Sequence, residues 1–281
     1  MAVSPIFSRL NLLTGEDVIQ SLNSTSVIIF GVGGVGSWVA DSLIRSGIQR
    51  LTLVDSDTVC ITNVNRQLQA TTKNVGQSKV DELRKRLLEL NPKATIETHL
   101  EVYEPGDADK FKLGQYDFVI DAIDSIRSKV DLCISATEVG ATFFSSMGAA
   151  YKMDPTKIEV ASIWKTRDDP LAKHVRKGLR ARKFEGDFKV VYSKEVIPLF
   201  HKTSVDEGTH QCFCPSFHTE KEGLESAKDW CHDKAVIPGS VVHITATFGQ
   251  YLAGLVVQEV YKRTNDYVQE IAQLESSQLP A

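Results

Sequence analysis

Apolar positions in this chain follow two alternating patterns, short unbroken runs and helical stripes. Val27 to Phe30 form an unbroken run, as a strand buried on both faces would. Ser37 to Ile44 then place Val39, Leu43 and Ile44 on one helical side. Leu51 to Val54 is a second apolar run, and the chain predicts strands at 27–31, 51–55, 94–99, 117–121 and 142–146. Gly76 to Leu90 reads as an intervening helix, stopped by Asn91-Pro92. Strands alternating with helices predict an α/β, Rossmann-like fold: a mostly parallel sheet with helices on both faces.

Beyond residue 150 further strands extend that sheet. Lys157 to Trp164 and Val190 to Ser193 read as strands, and Pro170 to Lys183 as a helix with Leu171, Val175 and Leu179 every fourth residue. Thr203 to Lys234 are polar, with scattered Cys, His and Trp, and read as a long irregular crossover loop. Pro238-Gly239-Ser240 open a last helix. The expected organisation is an arm with a short helix (1–26), a nucleotide-binding half (27–150), an elaborated second half (151–263) and a partly disordered tail (264–281).

Composition narrows the setting. At 281 residues and 42% apolar content, the chain can bury one large α/β core. Its five cysteines, Cys60, Cys133, Cys212, Cys214 and Cys231, are an odd set with no secretory leader before them. A reducing, cytoplasmic setting is expected. Thr245, Thr247, Gln250, Gln258 and Glu259 interrupt the longest apolar stretch, so it reads as a buried helix and not a membrane span. The net charge of −4 argues against a general nucleic-acid coat. Yet Lys173, Arg176, Lys177, Arg180, Arg182 and Lys183 share one stretch without an acid. That stretch is either a solvated helix face or a phosphate track, which Lys165, Arg167, Lys189 and Lys194 would extend.

The candidate chemistry starts at Gly31-Val32-Gly33-Gly34-Val35-Gly36, between the first strand and the first sheet helix. Bare backbone N–H groups and a positive helix end suit a phosphate, and Gly31, Gly33, Gly34 and Gly36 keep side chains out of the way. Asp55 ends the second strand, roughly 20 residues on, where an acid meets a ribose hydroxyl. Asp57, Asn63, Asn65, Arg66 and Lys79 follow it. A forked guanidinium with a mobile ammonium matches a triphosphate better than a dinucleotide. Asp121, Asp124 and Ser125 close the next strand, where parallel-sheet ligands sit. Asp124 is the better Mg²⁺ candidate; Asp121 reads equally as a turn carboxylate.

Taken in order, Arg9, Gly31 to Gly36, Asp55, Asn63, Arg66, Lys79 and Asp124-Ser125 resemble the ubiquitin-activating-enzyme-like superfamily of adenylating enzymes. The resemblance implies ATP and Mg²⁺ as cofactors, with Asp55 on the ribose, Asn63, Arg66 and Lys79 on the phosphates, and Asp124 on the metal. It implies a homodimer in which Arg9 reaches the neighbouring subunit's nucleotide. Ile6 stands where relatives often carry a second arginine. Arg66, Lys79, Asp124 and Arg9 are then the catalytic set. Asn63-Val-Asn65-Arg66-Gln67, Asp154-Pro155-Thr156-Lys157-Ile158 and Asp168-Asp169-Pro170-Leu-Ala resemble the superfamily's tRNA-modifying branch. That implies a ligase-type dehydratase that adenylates the carboxylate of N6-threonylcarbamoyladenosine at position 37 of tRNA. Ring closure by loss of water would follow, releasing AMP and pyrophosphate, with the basic helix as the tRNA track.

The alternative is an activator that adenylates a ubiquitin-like or sulfur-carrier protein, served by a cysteine-desulfurase or sulfur-acceptor system. That reading would use Cys231, placed roughly where relatives hold a transfer cysteine, beside His232 and Lys234. An incidental loop thiol is the other reading, since ring closure needs no thioester. Structural zinc sites pair two C-x₂-C turns, whereas Cys212-Phe-Cys214 offers C-x-C.

Overall fold

The structure, a computed structural model, describes residues 3–196 and 239–277. Its centre is a seven-stranded sheet: β1 (Ser26–Phe30), β2 (Arg50–Val54), β3 (Thr95–His99), β4 (Phe118–Asp121), β5 (Thr142–Ser146), β6 (Ile158–Ser162) and β7 (Lys189–Ser193). The spatial order is β3-β2-β1-β4-β5-β7-β6. All pairings are parallel except that of β6 with β7, which closes one edge antiparallel. The sequence-predicted α/β class and mostly parallel sheet are therefore observed, and both halves of the chain share one sheet.

Alternation along the strands feeds two cores. Val27 and Ile29 of β1 face α2 (Glu16–Ser24), α3 (Gly36–Arg45), α4 (Lys79–Leu90) and α7 (Val242–Ser277). Ile28 and Phe30 face the opposite layer, built from α5 (Ile126–Glu138) and α6 (Pro170–Ala181). All four β1 residues are at most 1% exposed. Each such side chain contributes about 1.5–3 kcal/mol relative to exposure, and the unbroken apolar run follows from burial on both faces.

Several boundaries differ from the sequence reading for local reasons. The arm holds two helices, α1 (Ser8–Thr14) and α2. Val18, Ile19 and Leu22 of α2 are buried, so it belongs to the core. The helix expected from Gly76 begins at Lys79, because Gly76 has φ +86° and Ser78 caps the helix by accepting from the Asp81 N–H. The strand expected to reach Trp164 stops at Ser162, whose hydroxyl accepts from the Trp164 N–H and turns the chain. The expected tail is helical as far as Ser277, since α7 continues without Gly or Pro after Gly254. The expected crossover loop lies outside the described residues. Among those described, no helix is long and apolar enough to cross a membrane.

Helix α7 lies against α3 and seats Ile244, Phe248, Leu252 and Val256 at zero exposure. Gly249 allows this approach: a Cβ there would stand 2.7 Å from Trp38 Cβ and 2.8 Å from the Val35 oxygen. Gly249→Ala should therefore force the helices apart. We expect a loss of about 1–3 kcal/mol, read from urea unfolding, and an unchanged midpoint would mean that this contact relaxes freely.

Candidate active site

Three strands end level at one rim of the sheet. Phe30 registers with Val54 on one side and Asp121 on the other, so Gly31, Asp55 and Ala122 leave the sheet side by side. The strand order reverses between β1 and β4, which opens a crevice at their carboxyl ends. The turn into α3 is tight. Gly31 has φ +84°, and a Cβ on it would sit 2.7 Å from the Ala122 oxygen; one on Gly36 would sit 1.8 Å from the Gly31 oxygen. Among the described residues, the N–H groups of Gly33, Gly34 and Val35 meet no acceptor. Three donors and the positive end of α3 thus converge where an anion would rest.

Asp55 organises the adjoining loop. Its Oδ2 accepts from the Val32 N–H at 2.8 Å and its Oδ1 from the Asp57 N–H at 2.9 Å. Burial pushes its carboxyl up, opposed by the Lys79 ammonium. Lys79 is 5% exposed; its Nζ donates to Asp57 Oδ2 at 2.6 Å. Burial alone would draw Lys79 down, yet Asp55 and Asp57 outweigh it and hold the ammonium above its ordinary value. The site therefore contains a cation that is buried and still charged.

Arg66 follows a one-turn 3₁₀ segment, Ile61–Asn63. Its guanidinium donates to the Thr62 carbonyl at 2.7 Å and to Asn65 Oδ1 at 3.0 Å, and its carbonyl accepts from Trp38 Nε1. Partial burial lowers its pKa, though a guanidinium stays charged. Asn63 and Asn65, read from the sequence as nucleotide ligands, are bonded to backbone. Asn63 Oδ1 accepts from the Cys60 N–H, and Asn65 Nδ2 donates to the Ser240 carbonyl ahead of α7. Thr245 of α7 and Arg66 both crowd Gly34. The last helix thus braces the cation loop and the glycine turn together.

For Asp121 the structure supports the turn carboxylate and corrects the nucleotide-ligand reading. Its carboxylate is wholly enclosed, paired with the equally enclosed Lys129 at 2.6 Å, and accepts from Ser145 Oγ and the Ile123 N–H. No oxygen of Asp121 reaches the crevice; it fixes the start of the loop that carries Asp124. The pattern did not reveal Lys129, although a lysine among Val130, Leu132 and Cys133 on a buried face was a readable sign of an internal partner. Asp124 is exposed in that loop, and Ser125 is the residue that caps α5. Among the described residues no three His, Cys, Asp or Glu side chains group to hold a metal. The donor set fits only an ion completed by phosphate oxygens and water, as Mg²⁺ accepts.

The remaining candidates are dispersed. Arg9 is exposed on α1, near Leu12 and Leu13, which are 84% and 79% exposed. Cys231, Cys212 and Cys214 lie outside the described residues, whereas Cys60 and Cys133 are buried. Helix α6 buries Ala172, Val175 and Leu179 and turns its cations outward. Two of these are engaged: Arg176 bonds Thr166 Oγ1, and Arg182 pairs with Asp131 at 2.6 Å. Lys173, Lys177, Arg180 and Lys183 are exposed.

Comparison with known proteins agrees with this geometry. A tRNA threonylcarbamoyladenosine dehydratase of Bacillus subtilis is 42% identical over 189 residues, 67% of this chain and 74% of that one. The Haemophilus influenzae protein of the same name is 30% identical over 92% of this chain and 94% of its own length. Among solved structures, Escherichia coli tRNA N6-threonylcarbamoyladenosine dehydratase, TcdA, in complex with ATP, superposes with a TM-score of 0.75. It shares 28% identity and covers 96% of this chain and 99% of its own. Residues 7–278 match the ThiF family. With the glycine turn, the acid after β2 and the cation pair in one crevice, the chain belongs to the ThiF family.

Proposed function

We propose that this chain is an ATP-dependent, ligase-type tRNA dehydratase acting on N6-threonylcarbamoyladenosine at position 37. The observation that carries the reading is a buried lysine kept charged by two acids, at the same rim as three backbone N–H groups that meet no acceptor among the described residues. A triphosphate supplies what those groups lack. On binding it would compete with Asp57 for Lys79, and Asp57, 45% exposed at its side chain, can return to water cheaply. Asp55 stays in place, held by its two backbone donors, to receive the ribose.

The substrate carboxylate attacks the α-phosphorus, the bond to the bridging oxygen breaks, and pyrophosphate leaves. Lys79, Arg66 and the N–H groups at the start of α3 stabilise charge on the phosphoryl oxygens. Asp124 would hold Mg²⁺, which would offset negative charge on the phosphates. A nucleophilic atom of the same nucleoside then attacks the acyl carbon, and AMP departs with the carboxylate oxygen. The net change is loss of one water, and no protein nucleophile is needed. Arg9 would complete the site of a second copy, making the working unit a homodimer with exposed Leu12 and Leu13 at its seam.

The direct test is nucleoside mass spectrometry of threonylcarbamoylated tRNA incubated with the protein, ATP and Mg²⁺. A product one water lighter, with AMP released, is expected; ADP and orthophosphate would exclude adenylation. Lys79→Ala should lower AMP release by at least about a hundredfold, as loss of one transition-state donor does, with far-UV circular dichroism reporting the fold. Lys173→Glu together with Lys177→Glu should weaken tRNA binding. The slope of log affinity against log salt should flatten by about two. An unchanged slope would make the α6 cations a solvated face.

A further inference from the structure

Among the cations of α6, Arg180 has a setting of its own. Its guanidinium carbon stands 5.4 Å from the centroid of the Trp164 ring. Among the described residues it pairs with no carboxylate, unlike Arg182. The ring beneath it is fixed: Trp164 Nε1 donates to the Gly186 carbonyl at 2.9 Å, and its backbone N–H is held by Ser162 Oγ. Trp164 is half-buried while Arg180 is exposed. Lys173, Lys177 and Arg180 follow at i, i+4 and i+7, so the two lysines continue the same stripe.

A cation meant only for phosphate needs no aromatic backing, as Lys173 and Lys177 illustrate. An exposed guanidinium held over an indole presents a planar, delocalised cation beside an aromatic ring. Unpaired RNA bases stack on such surfaces. We propose that Trp164 and Arg180 form a stacking platform for one unpaired base of the tRNA anticodon loop, with Lys173 and Lys177 on adjacent phosphates. This rests on the tRNA reading above and adds where the loop is gripped. The gripped base differs from the modified nucleoside. Helix α6 starts at the crevice rim, where its cap Asp169 accepts from the Gly148 N–H just after β5. Arg180 lies about 15 Å further along the helix.

The test uses the full chain and an anticodon stem–loop RNA carrying 2-aminopurine at one loop position at a time. The wild-type protein should quench the fluorescence strongly at a single position. Arg180→Lys keeps the charge but removes the plane; it should abolish that quenching and weaken binding about tenfold. Its salt slope should stay unchanged. Trp164→Ala should do the same, and because that change could loosen the 163–166 turn, the exposed Arg180→Lys decides. Wild-type quenching and affinity in Arg180→Lys would overturn the platform, as would no quenching at any position by the wild type. A wild type that dehydrates tRNA while Arg180→Lys binds normally sinks the platform alone. A wild type that leaves threonylcarbamoylated tRNA unchanged sinks the proposed function itself.

Discussion

One carboxylate ties the crevice together. Asp55 accepts from Val32 in the glycine turn and from Asp57 in the next loop, using both oxygens on backbone. Two loops that are far apart in sequence thereby share a single anchor at the end of β2. Burial opposes the charge of this anchor, and the nearby Lys79 ammonium, helped by the two backbone donors, offsets part of that cost. Lys79 in turn is buried and would resist charging without Asp55 and Asp57. Each group favours the charged form of the other. Their mutual dependence keeps a cation at the crevice before any nucleotide arrives.

Strand β4, on the other side of β1, ends in the same residue type with the opposite outcome. Asp121 and Lys129 are both fully enclosed and satisfied by Ser145, the Ser146 carbonyl and the Ile123 N–H. A sealed pair of this kind adds little net stability over apolar packing, but losing one partner is costly. Its effect is to fix the path of Ala122 to Ser125. The two lysines differ in their partners: Lys79 pairs with the half-exposed Asp57, which can let go, and Lys129 with the enclosed Asp121, which cannot.

Much of this was legible in the chain. The apolar runs at β1, β2 and β4, that of β2 broken only by Thr52, marked the central strands, and Gly31 to Gly36 with Asp55 marked the crevice. The misreadings share a cause. Asp121 read equally as ligand and turn carboxylate because its enclosure depends on Lys129 and Ser145, which converge only through the sheet. The bonds of Asn63 and Asn65 to Cys60 and Ser240 were not legible, because they arise from a loop conformation and a distant helix start. Periodicity reports which face of an element is apolar; it carries no information about long-range polar partners. The first arm helix and the end of α7 were missed for a milder reason, because short or polar helices give a weak stripe.

The cations of α6 show how a uniform basic stripe in the sequence takes on different settings in the fold. Six basic residues in one acid-free stretch invite treatment as a uniform phosphate track. The fold divides them: Arg176 and Arg182 serve Thr166 and Asp131, and Arg180 lies on Trp164. Those three arginines, whose planar groups pack and fork, take the structured positions. Lys173 and Lys177, compact and strongly hydrated, stay in solvent, as the differing chemistry of the two cations favours. On the proposed tRNA reading, such a surface would grip phosphates through its lysines and sense shape only where an arginine is held over an aromatic ring. Selectivity for a loop over a duplex would therefore reside at Trp164 and Arg180, whereas the lysines set the strength of attachment.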